Sequence, residues 1–284
     1  MASHPFPLSR CRERAGVRVA FSALAFVMLG SAVHAQRAEL IDRAELRVCA
    51  DPHNLPFSNE AGEGFENKVA EIIGADLKIP VSYLWFPQVT GFVRNTLRAR
   101  ECDLVMGAVS GDGIMDSTNP YYHTGYMLVT RTADHITAHA VADPALKDKR
   151  FGVIAATPPT DLLVRHQLMD HVTPYSLRVD TRISNPPRAM LQDLVDGKID
   201  VALIWGPPAG YAIHHDHLPL TAVFIEPELN APRLDYRIAM GVRANEPEWR
   251  RRINQALGKH KDEIGAVLAE YGIPMLGDQD RPAQ

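Results

Sequence analysis

The sequence predicts a two-lobed α/β protein in which each lobe is a sheet flanked by helices. From Leu46 onward, apolar runs of strand length alternate with amphipathic runs of helix length, as they do in βαβ units. The alternation is interrupted at 131–142 and then starts again, which indicates two compact units. One more strand and further helical segments follow the second unit. If they return to the first unit, two segments cross between the lobes and form a hinge beside a cleft.

The predicted boundaries follow from this reading. Lobe 1 is assigned residues 36–131 and 234–284, and lobe 2 is assigned residues 132–233, with the hinge segments at its ends.

The spacing of apolar residues predicts the elements of the first unit. A helix is predicted over 65–77, because Phe65, Val69 and Ile73 recur at helical spacing and share one face. The other segments predicted in this unit are strands at 46–50, 81–85, 103–106 and 125–130 and a helix at 91–100.

The second unit repeats the alternation, and its first helix begins at Pro158, a residue type that is favoured at a first helical position. The predicted strands are 150–155, 175–180, 199–205 and 220–225, and the predicted helices are 158–169, 186–196 and 208–215. A strand at 236–242 and helical segments within 247–271 complete the chain.

The first 35 residues have the features of a cleaved secretory signal peptide. Four arginines precede an uncharged stretch at 19–33, and Ala35 supplies a small residue at the cleavage position. The uncharged stretch is shorter than the roughly 20 apolar residues of a membrane-spanning helix. We therefore expect export to the periplasm, and no membrane insertion of the mature chain.

Charge and length restrict the class of partner. Without residues 1–35 the chain holds 26 basic and 33 acidic residues, a net charge of −7. An acidic chain without a basic run is not typical of proteins that bind nucleic acid or anionic lipid.

Cys49 and Cys102 remain after removal of the signal peptide, and both lie beside predicted strands. An even number of cysteines in an oxidising compartment predicts a disulfide, which adjacent strands would permit. Closing this loop would stabilise the fold by about 4 kcal/mol in the chain-entropy description. The alternative is a pair of buried free thiols.

Several short motifs occur in an order that resembles the type II periplasmic binding proteins, which deliver amino acids to ABC transporters. These motifs are Leu46-Arg47-Val48, Leu55-Pro56-Phe57-Ser58, Gly64-Phe65-Glu66, Cys102-Asp103-Leu104-Val105-Met106, Asn119-Pro120-Tyr121-Tyr122 and Gly197-Lys198-Ile199-Asp200. The resemblance covers nearly all of the mature chain and implies the two-lobed fold of those proteins.

A narrower resemblance is to the MxaJ/XoxJ family. It is carried by Cys49-Ala50-Asp51-Pro52, Leu55-Pro56-Phe57-Ser58-Asn59, Gly64-Phe65-Glu66-Asn67-Lys68, Gly91-Phe92-Val93-Arg94-Asn95-Thr96-Leu97 and Trp205-Gly206-Pro207-Pro208-Ala209-Gly210-Tyr211. That family consists of periplasmic proteins associated with methanol dehydrogenases that depend on pyrroloquinoline quinone (PQQ). The resemblance implies an accessory role toward a calcium-type or a lanthanide-type dehydrogenase.

The anchors that an amino-acid carrier needs are missing from the sequence. The interval 101–130, where such carriers place an arginine for the α-carboxylate, contains neither Lys nor Arg. The second anion site would be the helix start at Thr157, where Pro158 and Pro159 each remove an N–H donor. Trp205 and Gly206 stand where the carriers hold the ammonium with an aspartate.

The cleft is therefore predicted to take an apolar or peptide-like group. Its candidate residues are Phe57, Tyr121, Tyr122, Thr157, Trp205, Gly206, Pro207 and Tyr211. Large aromatic side chains are favoured anchors at protein interfaces. The alternative is that these aromatics belong to the core, which we expect of Phe57 and of one tyrosine. Trp205 has the same two interpretations, as a partner anchor or as a core residue that closes the sheet edge.

The sequence gives only weak indications of a metal site and none of a catalytic site. His214 and His217 could share a helix face at a spacing compatible with metal binding, but such a pair is more often a solvated helix cap. The carboxylates of Glu101, Asp103, Asp112 and Asp116 are oxygen ligands of the kind that suits calcium or a lanthanide. No catalytic or cofactor-binding motif occurs, so we expect neither an enzyme nor a cofactor.

Three functions are compatible with these observations. The first is a binding accessory of a PQQ-dependent methanol dehydrogenase. The second is an ABC-transporter binding protein for a small solute that is not an amino acid. The third is a chaperone for the calcium or lanthanide ion of the dehydrogenase.

Overall fold

The computed structural model of the chain describes residues 43–277, so the predicted signal peptide lies outside it. Its strands are β1 Leu46–Ala50, β2 His53–Asn54, β3 Ser58–Asn59, β4 Val81–Trp85, β5 Leu104–Val109, β6 Asp116–Ser117, β7 Tyr122–Arg131, β8 Phe151–Ile154, β9 Val172–Tyr175, β10 Val201–Trp205, β11 Leu220–Phe224 and β12 Asp235–Val242. Its α-helices are α1 Phe65–Leu77, α2 Phe92–Asn95, α3 Pro158–Arg165, α4 Pro186–Val195, α5 Gly206–His214, α6 Pro247–Lys259 and α7 Lys261–Glu270. Short 3-10 helices occupy Thr132–Asp134, Pro144–Leu146 and Met169–His171.

The first sheet has the strand order β4-β1-β5-β12-β7. β1 lies between β4 and β5 and is parallel to both, with Leu46 opposite Val81 and Val48 opposite Leu104. The apolar face of α1, predicted from its spacing, packs on this sheet with α6 and α7 beside it. Trp249 of α6 is fully buried in the same core.

The second sheet has the order β7-β10-β8-β9, with β11 on the other side of β7. β10 is parallel to β8 and antiparallel to β7, so Leu203 lies opposite both Val153 and Leu128. Helices cover both faces, since the buried leucines of α3 and those of α4 belong to different core clusters. Coverage on both faces explains why these strands are almost continuously apolar.

β7 belongs to both sheets, and with β12 it forms the connection between the two lobes. Its first half pairs antiparallel with β12, with Tyr122 opposite Ile238 and Gly125 opposite Asp235. Its second half lies between β10 and β11. The fold is thus a type II periplasmic binding-protein fold with two crossing segments. The predicted lobe boundaries at 131 and 234 stay predictions, and we place the first crossing near Gly125, where β7 changes partners.

Two segments differ from the sequence prediction. The helix predicted over 91–100 is a short α2, which starts at Gly91 with a φ of 93° and ends at Thr96. The strand predicted over 175–180 is wrong, because β9 pairs with β8 over Val172–Tyr175 and residues 176–185 form a loop. Among the described residues, no helix is long and apolar enough to cross a membrane.

The predicted disulfide is confirmed. Cys49 on β1 is bonded to Cys102, which lies two residues before β5, and their Cα atoms are 5.4 Å apart. The parallel pairing of β1 with β5 brings the two residues together, as the sequence interpretation required. Both side chains lie in a small buried cluster with Phe92, Leu97 and Val105.

Asp103 is buried beside the disulfide and is surrounded by arginines. Its carboxylate accepts hydrogen bonds from Arg47 Nε at 2.8 Å and from Arg243 Nη2 at 2.6 Å, and Arg43 forms a third ion pair. Burial alone would raise the pKa of Asp103, but the hydrogen bonds from Arg47, Arg243 and Arg43 outweigh it and lower the pKa to about 2. This carboxylate therefore joins the start of β5 to β1 and to the end of β12.

We predict that Asp103→Asn lowers the free energy of unfolding by about 3 kcal/mol at pH 7, because it removes the buried carboxylate shared by three arginines, of which only Arg43 and Arg243 also pair with Glu246. The folded-state pKa lies below the usual value, so the carboxylate stabilises the fold above about pH 4. This stabilisation should decline by about 2 kcal/mol as the pH falls from 4 toward 2. Urea unfolding of wild type and variant across this range measures it.

The matched control is Asp262→Asn, at an exposed position in the first turn of α7. It should change stability little at any pH. A wild-type-to-Asp103→Asn difference that is constant from pH 5 to pH 2 would contradict the role of the Asp103 charge.

Candidate functional site

A cavity with a volume of about 590 Å³ lies between the lobes. Its walls come from the loops after β1, from β5 and the hinge strands, and from the 176–187 segment with the end of β10. The lining residues are Asn54, Phe57, Glu66, Gln88, Gly107, Val109, Tyr122, Tyr126, Ile154, Thr157, Ser176, Leu177, Val179, Thr181, Ser184, Asn185, Pro186, Pro187, Ile204, Trp205, Pro208, Tyr236 and Ile238. This volume is in the range of small-molecule sites.

Aromatic side chains form the hinge side of the cleft. Trp205 is the last residue of β10 and meets Tyr126 of β7 edge to face, with ring centroids 5.2 Å apart. The ring of Tyr236 on β12 is 6.0 Å from that of Trp205. Trp205 is half-buried and also packs against the lobe 1 core. Both interpretations of this residue, core packing and cleft lining, therefore describe part of its environment.

The structure brings four of the eight predicted cleft residues together. Phe57, Tyr122, Thr157 and Trp205 all line the cavity. Phe57 is half-buried and Tyr122 is buried, and Tyr122 lies edge-on to Phe65 in the core at 5.9 Å. The Thr157 hydroxyl donates a hydrogen bond to the carbonyl oxygen of Ile154 at 2.6 Å, which fixes the start of α3.

The other four predicted residues lie outside the cavity lining. Tyr121 is directed to β5 and donates a hydrogen bond to the carbonyl oxygen of Met106 at 3.2 Å. Gly206 and Pro207 are buried where α5 approaches the hinge, and a Cβ on Gly206 would lie 2.9 Å from the carbonyl oxygen of Gly125. Tyr211 is on another face of α5, stacked on His215 at 4.3 Å. Their assignment to a partner surface stays a prediction.

Glu66 is the cleft residue whose role the sequence interpretation missed. It is the second residue of α1, which begins where the backbone N–H groups of Phe65 and Glu66 donate to the carbonyl oxygens of Pro56 and Phe57. Only glycine fits at the N-cap, because a Cβ on Gly64 would lie 2.1 Å from the Phe57 oxygen. Burial, reinforced by the charge of Asp51, raises the pKa of Glu66 to about 8.

Acidic residues are common in the first turn of a helix, so the residue type of Glu66 did not indicate a functional role. Its position in the sequence was the only local indication. Gly64-Phe65-Glu66 directly follows a loop that the prediction already placed at the cleft. The burial of Glu66, at 4% exposure, depends on the opposing strands and is not visible in the sequence.

A hydrogen bond crosses the cleft from one lobe to the other. The Thr181 hydroxyl, in the loop after β9, donates to Asp51 Oδ1 at 2.6 Å. Asp51 follows β1, is fully buried, and also accepts from the backbone N–H groups of His53 and Gln88 at 2.9 and 2.7 Å. The two lobes are therefore closed on each other, and this hydrogen bond helps to hold them together.

The candidate metal ligands do not converge. Within residues 43–277, no group of three or more His, Cys, Asp or Glu side chains could hold a metal ion. His214 and His217 are exposed at and beyond the end of α5, and Asp103 is engaged by its arginines. Asp112 and Asp116 lie in the segment before β7, where Asp116 faces Arg250 at 3.5 Å.

The chain is similar to known proteins in sequence and in fold. The family described as bacterial extracellular solute-binding proteins, family 3, matches residues 46–271. The crystal structure of periplasmic binding protein XoxJ from Methylobacterium extorquens AM1 is 40% identical, with a TM-score of 0.69 over 82% of this chain and 100% of that chain. The crystal structure of MxaJ from Methlophaga aminisulfidivorans MPT is 28% identical, with a TM-score of 0.71 over 81% of this chain and 100% of that chain. Protein MoxJ of Paracoccus denitrificans is 26% identical over 251 residues, which are 84% of this chain and 91% of the relative.

We predict that Thr181→Val shifts the lobes toward a more open arrangement. A hydrogen bond to a carboxylate contributes about 1.5 to 3 kcal/mol, so the closed population should fall by roughly tenfold or more relative to the open one. Small-angle scattering should then give a larger radius of gyration than for wild type. Thr173→Val on the exposed edge strand β9 is the control and should leave the scattering unchanged. Identical scattering of Thr181→Val and wild type would contradict a latch at this contact.

Proposed function

The chain belongs to the bacterial extracellular solute-binding proteins of family 3, and within them to the MxaJ/XoxJ family, and on that premise we propose that it is a periplasmic accessory binding protein. It assists or activates a PQQ-dependent methanol (alcohol) dehydrogenase by protein–protein binding in the aromatic cleft between its lobes. It acts by binding and catalyses no reaction. The observation that carries the proposal is a closed, aromatic cleft whose described lining has no cationic group for the carboxylate of an amino acid.

The charge of the cleft supports this proposal. None of the described residues that line it is Lys, Arg or His, so a carboxylate would enter without a counter-ion. Thr157, at the start of α3, is followed by two prolines that remove N–H donors from the place where an anion could bind. A free amino acid is therefore a poor occupant, whereas a peptide segment with neutral backbone groups is a good one.

Aromatic side chains beside polar side chains suit such a segment. Trp205, Tyr236 and Phe57 provide large apolar surfaces, and Asn54, Gln88 and Asn185 provide donors and acceptors for a peptide backbone. Exposed apolar side chains continue the surface at the mouth of the cleft, where Leu177 is 49% and Ile183 is 84% exposed. A segment of the dehydrogenase bound inside could thus extend over the 176–185 loop.

A second candidate is the capture of a small apolar solute for a transporter. The specific observation in its favour is the cavity volume of about 590 Å³, which matches a small ligand as well as a short peptide segment. Calorimetry with alcohols, PQQ and amino acids distinguishes the candidates. Micromolar affinity for one of these solutes, without affinity for the dehydrogenase, would favour the carrier.

We predict that Trp205→Ala weakens binding of the dehydrogenase by about thirtyfold or more, because a buried aromatic anchor typically contributes about 2 kcal/mol or more. The variant should also lose some thermal stability, since Trp205 packs against the core. Biolayer interferometry with the dehydrogenase of the same organism, in its PQQ-free and PQQ-bound forms, measures the affinity.

Trp85→Ala is the matched control. Trp85 is likewise half-buried but lies on β4, stacked on Tyr83 at 4.7 Å and away from the cleft. It should lose stability without losing affinity. Equal affinity losses in both variants would mean that Trp205 acts only through the fold, and absence of binding by wild type would reject the accessory role.

A further inference from the structure

Glu66 is a buried acid without a partner, and it lies in the wall of the cleft. Its side chain is 4% exposed, and no described residue donates a hydrogen bond to its carboxyl group. Gly107 of β5 leaves the room for this group, because a Cβ there would lie 2.6 Å from Glu66 Oε1. Buried polar groups are normally paired, so an unpaired carboxyl beside a cavity indicates a ligand group that completes it.

The charged surroundings of Glu66 are all acidic or neutral. Asp51, which follows β1, is held by its three hydrogen bonds, and the phenols of Tyr121 and Tyr122 face Glu66 from the start of β7. Among the described residues that line the cleft, Glu66 has the only carboxylate, and none is Lys, Arg or His. The cleft therefore attracts a cation and repels an anion.

The aromatic walls fit the same class of ligand. Phe57, Tyr122, Trp205 and Tyr236 line the cavity that contains Glu66. Aromatic faces attract a cation in addition to accepting its apolar stem, and this attraction increases when water is excluded. A single carboxylate among aromatic rings suits one positive charge on a methylene chain.

We propose that the cleft binds the ammonium group of a lysine side chain, with Glu66 as its counter-ion and the aromatic rings around its methylene stem. This inference rests on the proposed function, because the lysine is presented by the segment of the dehydrogenase that occupies the cleft. A free amino acid differs from the bound segment because it carries a carboxylate, for which the described lining of the cavity has no cationic partner.

Proton release follows from the proposal. In the empty cleft, burial and the charge of Asp51 place the pKa of Glu66 at about 8. About one tenth of the molecules carry the ionised acid at pH 7 and about one hundredth at pH 6, and only these accept the ammonium with full affinity. Binding therefore transfers the Glu66 proton to the buffer, while the lysine stays protonated throughout this range. Affinity should rise about tenfold from pH 6 to pH 7.

The test uses isothermal calorimetry of the mature protein with N-acetyl-lysine methylamide at pH 6, 7 and 8. N-acetyl-norleucine methylamide, which lacks only the ammonium group, is the matched control ligand. At pH 8 the lysine compound should bind at least tenfold more tightly than the control, and at pH 7 it should release close to one proton. Equal affinity for both compounds, or an affinity independent of pH, would overturn the proposal.

Glu66→Gln keeps the shape of the side chain and removes its ability to ionise. It should abolish the preference for the lysine compound and the pH dependence. Unchanged binding by this variant would overturn the proposal, because a neutral acid that donates to a carbonyl group would then explain the site. Since the pH dependence is measured on wild type, the conclusion does not depend on how well the variant folds.

Binding of the dehydrogenase separates this inference from the proposed function. Wild type should bind it, and Glu66→Gln should bind it at least tenfold more weakly at pH 8. Equal binding by both proteins rejects the lysine and retains the accessory role, whereas no binding by either rejects the accessory role.

Discussion

The antiparallel pairing of β7 with β12 is the interaction on which the rest of the molecule depends. β7 enters the pairing at Tyr122 opposite Ile238 and leaves it at Gly125 opposite Asp235, and then continues into the second sheet. Both lobes are thus attached to one continuous pair of strands. The aromatic cluster of Tyr126, Trp205 and Tyr236 lies at this junction, which links the geometry of the cleft to the geometry of the hinge.

Charge decides what the cleft can hold. Arg47 and Arg243 in the first lobe pair with Asp103. No arginine is among the described residues that line the cavity. Glu66 is the only carboxylate in the described lining, and burial, reinforced by the charge of Asp51, raises its pKa to about 8. The cleft therefore has no counter-ion for the carboxylate of an amino acid.

Sequence reasoning recovered what local chemistry determines. β1, α1 and β4 agree with the predicted bounds, because alternating or helical apolar spacing was strong in each. The disulfide followed from compartment and strand adjacency. What failed depended on tertiary partners: the strand predicted over 175–180 is a loop because pairing with β8 ends at Tyr175.

The residues of the candidate site also differ in how far the sequence alone could indicate them. Trp205 and Phe57 line the cavity, and large aromatic side chains of this kind are conspicuous in a sequence. Tyr211 does not line the cavity, and its direction could not be predicted because it depends on how α5 is rotated against its neighbours. Glu66 and Thr181 were overlooked because burial and a bond between lobes arise only when distant segments meet.

We propose that a segment of the dehydrogenase lies between the two lobes. Hydrogen–deuterium exchange of the chain with and without the dehydrogenase tests it most directly. We expect protection of both opposing walls together, the loops around Phe57 and residues 176–187, with little change in the edge strand β4. Protection confined to outer faces such as α3 or α6, with unchanged exchange in the cleft, would contradict it.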